Sequence, residues 1–488
     1  MFANIHLNGS EPAEDDDALL DAAEAAEEIE QPDDEDQDMD SDPDEPLEEA
    51  IQLQNDSVAH FDAHTDSIFC IAQHPTDSSL VATGGGDDIT YIWSATPPSR
   101  PLPASYETAS SAERASLDPL AKLTGHTDSI NALAFTLPKG SFLLTGGLDG
   151  QVRVHHTNKQ DYPLLTFAQE VPEINFLLPC PNPEYPDTFA LGASDGSVWV
   201  YTITAADREN ALQILQAYYL HTESCTAGAW TPDGYLLVTV SEEGSLYVWD
   251  PFGAAAAKGI QSTGQSLVSL TAEDQRFAIE GGLYSVAVAP NGAFAAVGGA
   301  GGNIRIVGLP RLGVPTDQGS KGGGARNKTG GGKKAGGPSV EGGQAGQILA
   351  SLQTQSDGVE TLVFSRPPLT LLAAGSVDGS IVLFDHAHKF AVRRHIKEAH
   401  EEFAVVKVEF MPTESGKTSI LTSCGMDGVV RRWDTRGGTA ASGQGLVGEW
   451  RGHRGEGEKG GVLSFVQSGE KGTIATAGDD GVSLIFAG

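Results

Sequence analysis

Beyond residue 60, the chain repeats a pattern of short apolar segments separated by polar turns. Each repeat has a strand-length apolar segment, a turn, a second strand, a tight turn and a third strand, as in antiparallel hairpins. The tight turns lie at Asp87-Asp88, Asp149-Gly150, Asp195-Gly196, Glu243-Gly244, Gly301-Gly302, Asp378-Gly379, Asp427-Gly428 and Asp480-Gly481. This pattern predicts an all-β chain built from eight similar antiparallel sheets.

The spacing of the turns separates the repeats from two insertions. The second members of successive turns are 62, 46, 48, 58, 77, 49 and 53 residues apart. The two longest intervals contain residues 97–119 and the Gly/Lys-rich residues 311–347. Both insertions are expected to be flexible, the second because glycine-rich segments behave as linkers.

Spaced polar residues accompany the strands of several repeats. The sets are His64, Thr83, Asp87 and Trp93; His126, Thr145 and Asp149; His221, Thr239 and Trp249; and His400, Ser423, Asp427 and Trp433. They resemble the WD-repeat family, in which a Gly-His pair precedes a Ser/Thr, an Asp four residues later and a Trp-Asp pair. The resemblance implies a β-propeller with a hydrogen-bonded His–Ser/Thr–Asp–Trp network in each blade. A buried imidazole needs partners for both nitrogens, so the network has a physical reason.

Some repeats depart from this set. His155 stands at the Trp position of the second repeat, and Glu243 replaces the turn Asp of the fourth. The fifth repeat has Gly301 and Val307 at the Asp and Trp positions. Repeats that lack network members depend more on apolar packing, so we expect the fifth blade to be the least stable.

The two ends of the repeat region predict how the ring closes. The last repeat ends at "GVSLIFAG", which leaves no residues for its fourth strand. Residues 57–61 precede the first repeat and are free to supply it, which removes an open sheet edge. The fold expected for 57–488 is therefore an eight-bladed propeller, with seven blades as the alternative if the fifth repeat is misread.

Charge is the strongest compositional feature, because the net charge is −37. Residues 1–60 contain 22 acidic residues and no Lys or Arg, while residues 311–347 carry +4, which leaves −19 for the remainder. Residues 1–56 form an acidic tail that is expected to be disordered. The acidic repeats repel nucleic acids and membranes and attract basic proteins or peptides.

Other features concern compartment and chemistry. No apolar run is long enough to span a membrane, the N-terminus does not read as a signal peptide, and the four cysteines form no CxxC pair. These features favour a monomeric cytoplasmic protein, with the nucleus as a further location. The stretch "SGKTS" (415–419) lacks the first glycine of a phosphate-binding loop, and the histidine pairs lack further ligands at metal spacing. We expect no enzyme activity, no cofactor and no metal.

Acidic and aromatic residues recur where the upper face of the propeller is expected. Two places after the repeat histidine come Asp66, Asp128, Glu223, Asp357 and Glu402 beside Glu401, and Glu173 lies nearly there in the third repeat. Further along, toward the channel, come Phe69, Tyr284 and Glu360, with Phe403 nearby, and turns on the same face add Asp88, Glu242 and Asp479. Each acid alone could simply stabilise its turn, but a ring of like charges favours binding of a cation. We therefore assign these residues to a site for a basic peptide.

The first repeat carries a more specific resemblance. Residues 60–93, "HFDAHTDSIFCIAQHP…LVATGGGDDITYIW", after a long acidic tail, resemble the angio-associated migratory cell protein family, whose fungal members are ribosome-assembly factors. The resemblance implies a dedicated chaperone that binds the basic N-terminal segment of a nascent large-subunit ribosomal protein, the L-ten type. The alternative is a general WD-repeat scaffold that reads basic tails, as a histone-binding protein or ubiquitin-ligase adaptor.

Overall fold

The structure is a computed structural model that describes residues 54–97, 115–207, 210–262, 264–312, 344–412, 419–436, 445–453, 460–468 and 472–488. These residues belong to one compact unit, Leu53–Gly488. The acidic tail up to residue 53, most of both insertions and the stretch 413–418 lie outside the described residues. Among the described residues, no helix has the length and hydropathy of a membrane span.

Eight antiparallel sheets, blades 1 to 8, follow one another along the chain. The first strand, β1 (Ala59–Phe61), belongs to the last blade. Blade 1 contains β2 (Ile68–Gln73), β3 (Leu80–Gly85), β4 (Thr90–Ser94) and, after the short β5 (Ala115–Ser116), β6 (Pro119–Leu123). Blade 2 contains β7 (Ile130–Phe135), β8 (Phe142–Gly147), β9 (Gln151–His156) and β10 (Leu164–Gln169). Blade 3 contains β11 (Ile174–Pro179), β12 (Thr188–Ala193), β13 (Val198–Ile203) and β14 (Leu212–Tyr218).

The remaining blades repeat this order. Blade 4 contains β15 (Cys225–Trp230), β16 (Leu237–Ser241), β17 (Leu246–Trp249), the helix α1 (Ala254–Ala257) and β18 (Val268–Leu270). Blade 5 contains β19 (Leu283–Val288), β20 (Phe294–Gly299), β21 (Asn303–Gly308) and β22 (Ile348–Gln353), with a 3-10 turn at Ala300–Gly302. Blade 6 contains β23 (Val359–Phe364), β24 (Leu371–Ser376), β25 (Ile381–Asp385), a 3-10 turn at His386–His388 and β26 (Ala391–Ile396). Blade 7 contains β27 (Val405–Phe410), β28 (Ile420–Gly425), β29 (Val430–Asp434) and β30 (Leu446–Trp450). Blade 8 contains β31 (Val462–Gln467), β32 (Ile474–Gly478) and β33 (Ser483–Phe486).

The first strands of the eight blades form the inner ring. Each one contacts the first strands of both neighbouring blades, and β31 contacts β2, which closes the circle. Small residues near the end of each second strand let the next blade approach: a Cβ added at Gly84 would lie 2.7 Å from Ile130, and one at Gly375 would lie 2.7 Å from Val405. The eight-bladed all-β prediction is confirmed, and the seven-bladed alternative is wrong.

The last blade is closed by the N-terminal strand, as expected. β1 pairs antiparallel with β33, with Ala59 opposite Ile485. The Phe61 ring stacks on Trp93 of blade 1, with centroids 4.9 Å apart, so β1 also packs against blade 1. Pairing of β1 with β33 covers a sheet edge that would otherwise be exposed, which is the physical reason for the arrangement.

The end of the first insertion differs from the expectation of a flexible segment. β5 pairs in parallel with β1, with Ala59 opposite Ala115, and becomes a fifth strand of blade 8. The Leu117 N–H donates to the His60 carbonyl at 2.9 Å, and Ser116 donates to Asp62 at 2.9 Å. Ala115 and Ser116 of the insertion therefore form strand structure, because they cover the outer edge of β1.

Candidate functional site

A polar network inside several blades holds the loops of the upper face in place. In blade 1, His64 Nδ1 donates to Asp87 at 3.0 Å, Thr83 bonds His64 Nε2 at 3.0 Å, and Trp93 donates to Thr83 at 3.1 Å. Blade 7 repeats the pattern from His400 to the carboxylate and the serine, both at 2.8 Å. These contacts confirm the network and hold the loop before the first strand against the turn between the second and third strands.

The degenerate repeats satisfy their histidines in other ways. In blade 4, His221 donates to Ser245 at 2.6 Å, and Ser245 in turn donates to Glu243 at 2.5 Å, so a hydroxyl bridges to the longer acid. In blade 2, His126 keeps its bonds to Thr145 and Asp149, as expected. His155 takes no part in that network, because its Nδ1 bonds the carbonyl of Tyr162 at 3.2 Å.

The network of blade 8, which lacks only the Trp, was missed from the sequence. In blade 8, His453 bonds Asp480 at 3.0 Å and Thr476 at 2.8 Å. The sequence contains the signal, since Gly452-His453 precedes Thr476 and an Asp four residues later. Phe486 ends the third strand instead of Trp, and the histidine lies nine residues before Val462, which obscured the spacing.

One backbone hydrogen bond, repeated in all eight blades, joins the loops of the upper face. In every blade, a backbone N–H of the turn between the second and third strands donates to a carbonyl just before the first strand. The donor–acceptor pairs are Gly86–Ser67, Leu148–Ser129, Ser194–Glu173, Glu242–Ser224, Ala300–Gly282, Val377–Gly358, Met426–Ala404 and Asp479–Gly461, at 2.9–3.2 Å. The expected acidic positions therefore do lie on one face, beside the mouth of the inner ring.

The same hydrogen bond gives the exact register of the acidic positions. The residue before each acceptor is acidic in four blades, at Asp66, Asp128, Glu223 and Asp357. Glu173 is itself the acceptor, one position later, and in blade 7 the equivalent residue is Phe403. The loop from His400 to β27 is one residue longer than the loop from His64 to β2, so Glu402 precedes this position and differs from the expected register.

Local hydrogen bonds explain part of the acidic pattern. One carboxylate oxygen accepts the backbone N–H of the next residue at Asp66 (2.8 Å), Asp128 (2.7 Å) and Asp357 (2.7 Å). Asp479 is also engaged, since it accepts from Ser67 of blade 1 at 2.7 Å. Turn stabilisation is thus a real role of these acids, and it leaves a carboxylate oxygen of Asp128 and of Asp357 available to a ligand.

A β-bulge at the start of each first strand places a second ring of side chains below the acids. The ladder skips one residue in all eight blades. The skipped residues are Phe69, Asn131, Asn175, Thr226, Tyr284, Glu360, Val406 and Leu463. A bulge re-aims a side chain, and the shared position confirms that Phe69, Tyr284 and Glu360 occupy equivalent places.

Blades 4, 5 and 6 contribute one group of facing residues, Glu242, Tyr284, Asp357 and Glu360, which we call the tyrosine group. A Cβ placed on Gly358 would lie 3.3 Å from both Glu360 Oε1 and the Tyr284 ring, so these two side chains meet above a glycine. Burial and the charges of Glu360, Glu242 and Asp357 raise the pKa of Tyr284. Crowding by protein atoms and the charge of Asp357 raise the pKa of the solvent-accessible Glu360.

Blades 8, 1 and 2 contribute a second group, Asp66, Asp88, Asp128 and Asp479, which we call the aspartate group. Asp88 has the left-handed backbone of its turn, with φ of 60°. Partial burial and the charges of Asp128, Asp87 and Asp149 raise the pKa of Asp88. Blades 1 and 5 lie on opposite sides of an eight-membered ring, so the two groups face each other across the channel mouth.

Within the described residues, no Lys or Arg forms an ion pair with Asp88, Asp128 or Asp479 of the aspartate group, or with the carboxylates of the tyrosine group. The ion pairs that Lys and Arg form there involve Asp274, Glu409, Asp427, Glu449 and Asp434. Glu173, Glu223, Glu401 and Glu402 are exposed on the same face, and Phe403 is half-buried. Mutual repulsion without a partner is the electrostatic signature of a site for cations.

The fold and the networks define this chain as a WD-repeat propeller, and comparison with known proteins agrees. The model of the WD domain, G-beta repeat, matches residues 55–94, 117–156 and 212–250. The sequence is 27% identical to the ribosome assembly protein SQT1 of Saccharomyces cerevisiae, over 94% of this chain and 92% of that protein. It is 23% identical to the human angio-associated migratory cell protein, over 91% and 83%, which confirms the expected relationship.

Solved structures identify the family more closely. The crystal structure of Sqt1 from Chaetomium thermophilum has 50% sequence identity and a TM-score of 0.74, and the match covers 89% of this chain and 98% of that one. A second structure shows that Sqt1 bound to the N-terminus of the ribosomal protein L10, at 49% identity, TM-score 0.74 and coverage of 89% and 100%. The chain belongs to the Sqt1 family.

Proposed function

We propose that this protein is a chaperone and ribosome-assembly factor that binds the basic N-terminal segment of the large-subunit ribosomal protein L10. The observation that carries the proposal is the presence of two acidic groups on opposite sides of the channel mouth, in which Asp128 and Glu360 form no ion pair with a described Lys or Arg. A relative of 49% identity is solved with the N-terminus of L10 bound. An extended basic peptide that crosses the upper face would contact both groups at once.

The mechanism follows from the residues on that face. Carboxylates of the aspartate and tyrosine groups attract Lys and Arg side chains and accelerate encounter. Tyr284 and the exposed Phe69 offer ring faces on which a guanidinium can stack while Glu360 accepts its hydrogen bonds. Neutralising the basic segment keeps it from RNA and from aggregation until ribosomal RNA phosphates compete for the same cations.

This role requires binding and release, and no bond is made or broken. The protein therefore acts without a cofactor, as a non-enzymatic monomer of the cytoplasm that also reaches the nucleus. In this proposal residues 57–488 form the domain that binds the client, and the acidic residues 1–56 precede it in the sequence. An acidic segment joined to the binding domain raises the local concentration of basic partners.

Charge reversal on the upper face tests the proposal. We expect Glu360→Lys and Asp128→Lys each to weaken binding of a labelled L10 N-terminal peptide at least about tenfold, because like charges at an interface cost several kcal/mol. The measurement is fluorescence anisotropy with the full chain. Asp118→Lys is the matched control, since Asp118 is exposed at the end of the first insertion, away from the upper face.

Unchanged affinity in both upper-face variants would contradict the assignment of the site. A histone-tail peptide of equal charge serves as the second ligand. Binding of that peptide as tightly as the L10 segment would instead support a general scaffold for basic tails.

A further inference from the structure

Blade 6 carries a strip of cations on the outer edge of this acidic propeller. Residues 386–397 contain Lys389, Arg393, Arg394 and Lys397 and no Asp or Glu. They cover β26, the outermost strand of the blade, whose second edge pairs with no described strand. Lys389, Arg393 and Lys397 are exposed, and we call these three residues the cationic strip.

The strip is held on a firm support. Phe390 is only 9% exposed, and its ring packs on Phe294 with centroids 5.7 Å apart. Lys389 has a left-handed backbone, with φ of 57°, and projects from the turn that Phe390 anchors. Within β26, Arg394 is buried and donates to the carbonyl of Asp434 in blade 7 at 2.8 Å. The lysine and arginine side chains therefore extend from a fixed backbone.

A cation at the bulge of the outer strand is particular to blade 6 among the six blades with such a bulge. The outer strands of five other blades bulge at an aliphatic residue: Leu120, Leu165, Leu215, Leu349 and Val447. In blade 6 the ladder skips Arg393 at the same place. Because a bulge turns its side chain out of the ladder, the shared backbone geometry presents an arginine to solvent only here among these six strands.

The cations of the strip have no carboxylate partner among the described residues. The ion pairs of Lys and Arg in that part of the chain lie elsewhere. Two of these cations also repel positive charge at neighbouring positions of β26. Burial and the charge of Lys397 lower the pKa of His395, and burial with the charge of Arg393 contributes to the lowered pKa of Arg394. An anionic ligand would relieve this repulsion.

We propose that the cationic strip is a docking site for an acidic, extended peptide segment of a partner protein, aligned along the free edge of β26. An edge strand offers unpaired backbone groups for strand addition, and the cations supply the charge complement. β26 contributes six residues, or about 20 Å of extended chain, which matches a peptide segment of about six residues.

The surroundings favour a short acidic peptide over a nucleic acid. The exposed Glu398, Glu401 and Glu402 follow directly beyond Lys397. A polyanion longer than the strip would meet these carboxylates and be repelled. The strip also repels the basic client assigned to the upper face, so the site goes beyond the proposed function and both ligands can bind at once.

The test uses the full chain and a fluorescein-labelled peptide of about twelve residues with alternating Glu and Ser, at low salt. We expect the triple variant Lys389→Glu, Arg393→Glu and Lys397→Glu to weaken binding at least about tenfold. The matched control is Lys122→Glu, Lys139→Glu and Lys159→Glu, three exposed cations on blades 1 and 2 with the same total change of charge. The control should change affinity less than about twofold, and urea unfolding verifies that both variants fold.

Three outcomes would overturn the proposal. The first is that the acidic peptide does not bind, and the second is that both triple variants lose the same affinity for it. The third is that a single-stranded RNA of equal charge binds more tightly than the peptide and loses this binding in the strip variant. Saturating the upper face with the L10 N-terminal peptide should leave acidic-peptide binding unchanged. This arm separates the two sites, since failure of L10 binding alone would affect only the proposed function.

Discussion

The carboxylates beneath the upper face and those on it place the same chemical group in two environments. Asp427 is 8% exposed and bonds His400 at 2.8 Å and the buried guanidinium of Arg431. Glu360 is exposed above the inner ring and has no Lys or Arg partner among the described residues. The first acid is paired and holds a loop to a turn, while the second contributes repulsion that a ligand can remove.

The difference shows that an acidic residue in this fold has a role only through its neighbours. A buried charge that loses its partner is strongly destabilising, whereas an exposed one costs little. The layer of networks should therefore govern folding, and the exposed groups should govern binding. Three measurements can break or sharpen this separation.

The largest expected effect comes from Asp427→Ala. The substitution leaves His400 and Arg431 buried without their acceptor, and loss of one partner of a buried pair costs about 3–5 kcal/mol. Urea denaturation measures the change in the free energy of unfolding. Glu360→Ala is the control and should change that free energy by less than about 0.5 kcal/mol. Equal losses in the two variants would remove the distinction between the layers.

Acid pH should weaken the network layer next. Burial lowers the pKa of His221 to about 3 and that of His155 to about 4, from 6.5. Above the pKa of the unfolded chain, the histidine is neutral in both states and the fold has its full stability. As the pH falls from that pKa toward the lowered pKa of the folded chain, the unfolded chain takes up protons first and the stability is lost. We therefore expect the urea midpoint to fall steadily from about pH 6.5 toward about pH 4.

A histidine variant checks the origin of that pH dependence. His155→Leu removes one buried imidazole and should make the fall in the urea midpoint shallower over the same range. An unchanged slope would mean that exposed carboxylates, and not the buried histidines, control acid stability.

The smallest expected effect is the loss of one hydrogen bond. Trp433→Phe removes the N–H that Ser423 accepts at 2.9 Å, and we expect a loss of about 1 kcal/mol in the free energy of unfolding. Phe69 is a 38% exposed bulge residue, so Phe69→Ala should change the free energy of unfolding by less than about 0.5 kcal/mol. The same substitution should weaken binding of the L10 peptide. A larger loss of stability for Phe69→Ala would place this ring in the folding layer.

Much of the fold could be predicted because its signals are local. The Asp-Gly turns need a left-handed residue, and all eight second members have positive φ, including Asp88. The His64, His126, His221 and His400 networks follow from fixed spacings within one blade. The network of His453 was not predicted because its loop is longer, and β5 was not predicted because a two-residue strand has no detectable periodicity.

The candidate site was predictable in part. Phe69, Tyr284 and Glu360 fell at one bulge position because each lies a fixed distance from its loop. The position of Glu402 differed because blade 7 has one additional residue before β27, and counting from the histidine cannot detect it. The cationic strip carried no repeat signal at all, since Arg393 replaces an aliphatic residue in a strand otherwise like its neighbours.

By itself, the sequence determined the number of blades, the turns and the networks, since each depends on residues within about fifty positions of one another. The tertiary structure decided which residues of different blades meet. Packing of neighbouring blades brings Glu242, Tyr284 and Glu360 together, and closure of the ring sets the aspartate group opposite them. Only the pairing of β1 with both β33 and β5 seals the last blade, because contacts between distant segments depend on the completed packing and leave no periodic trace in the chain.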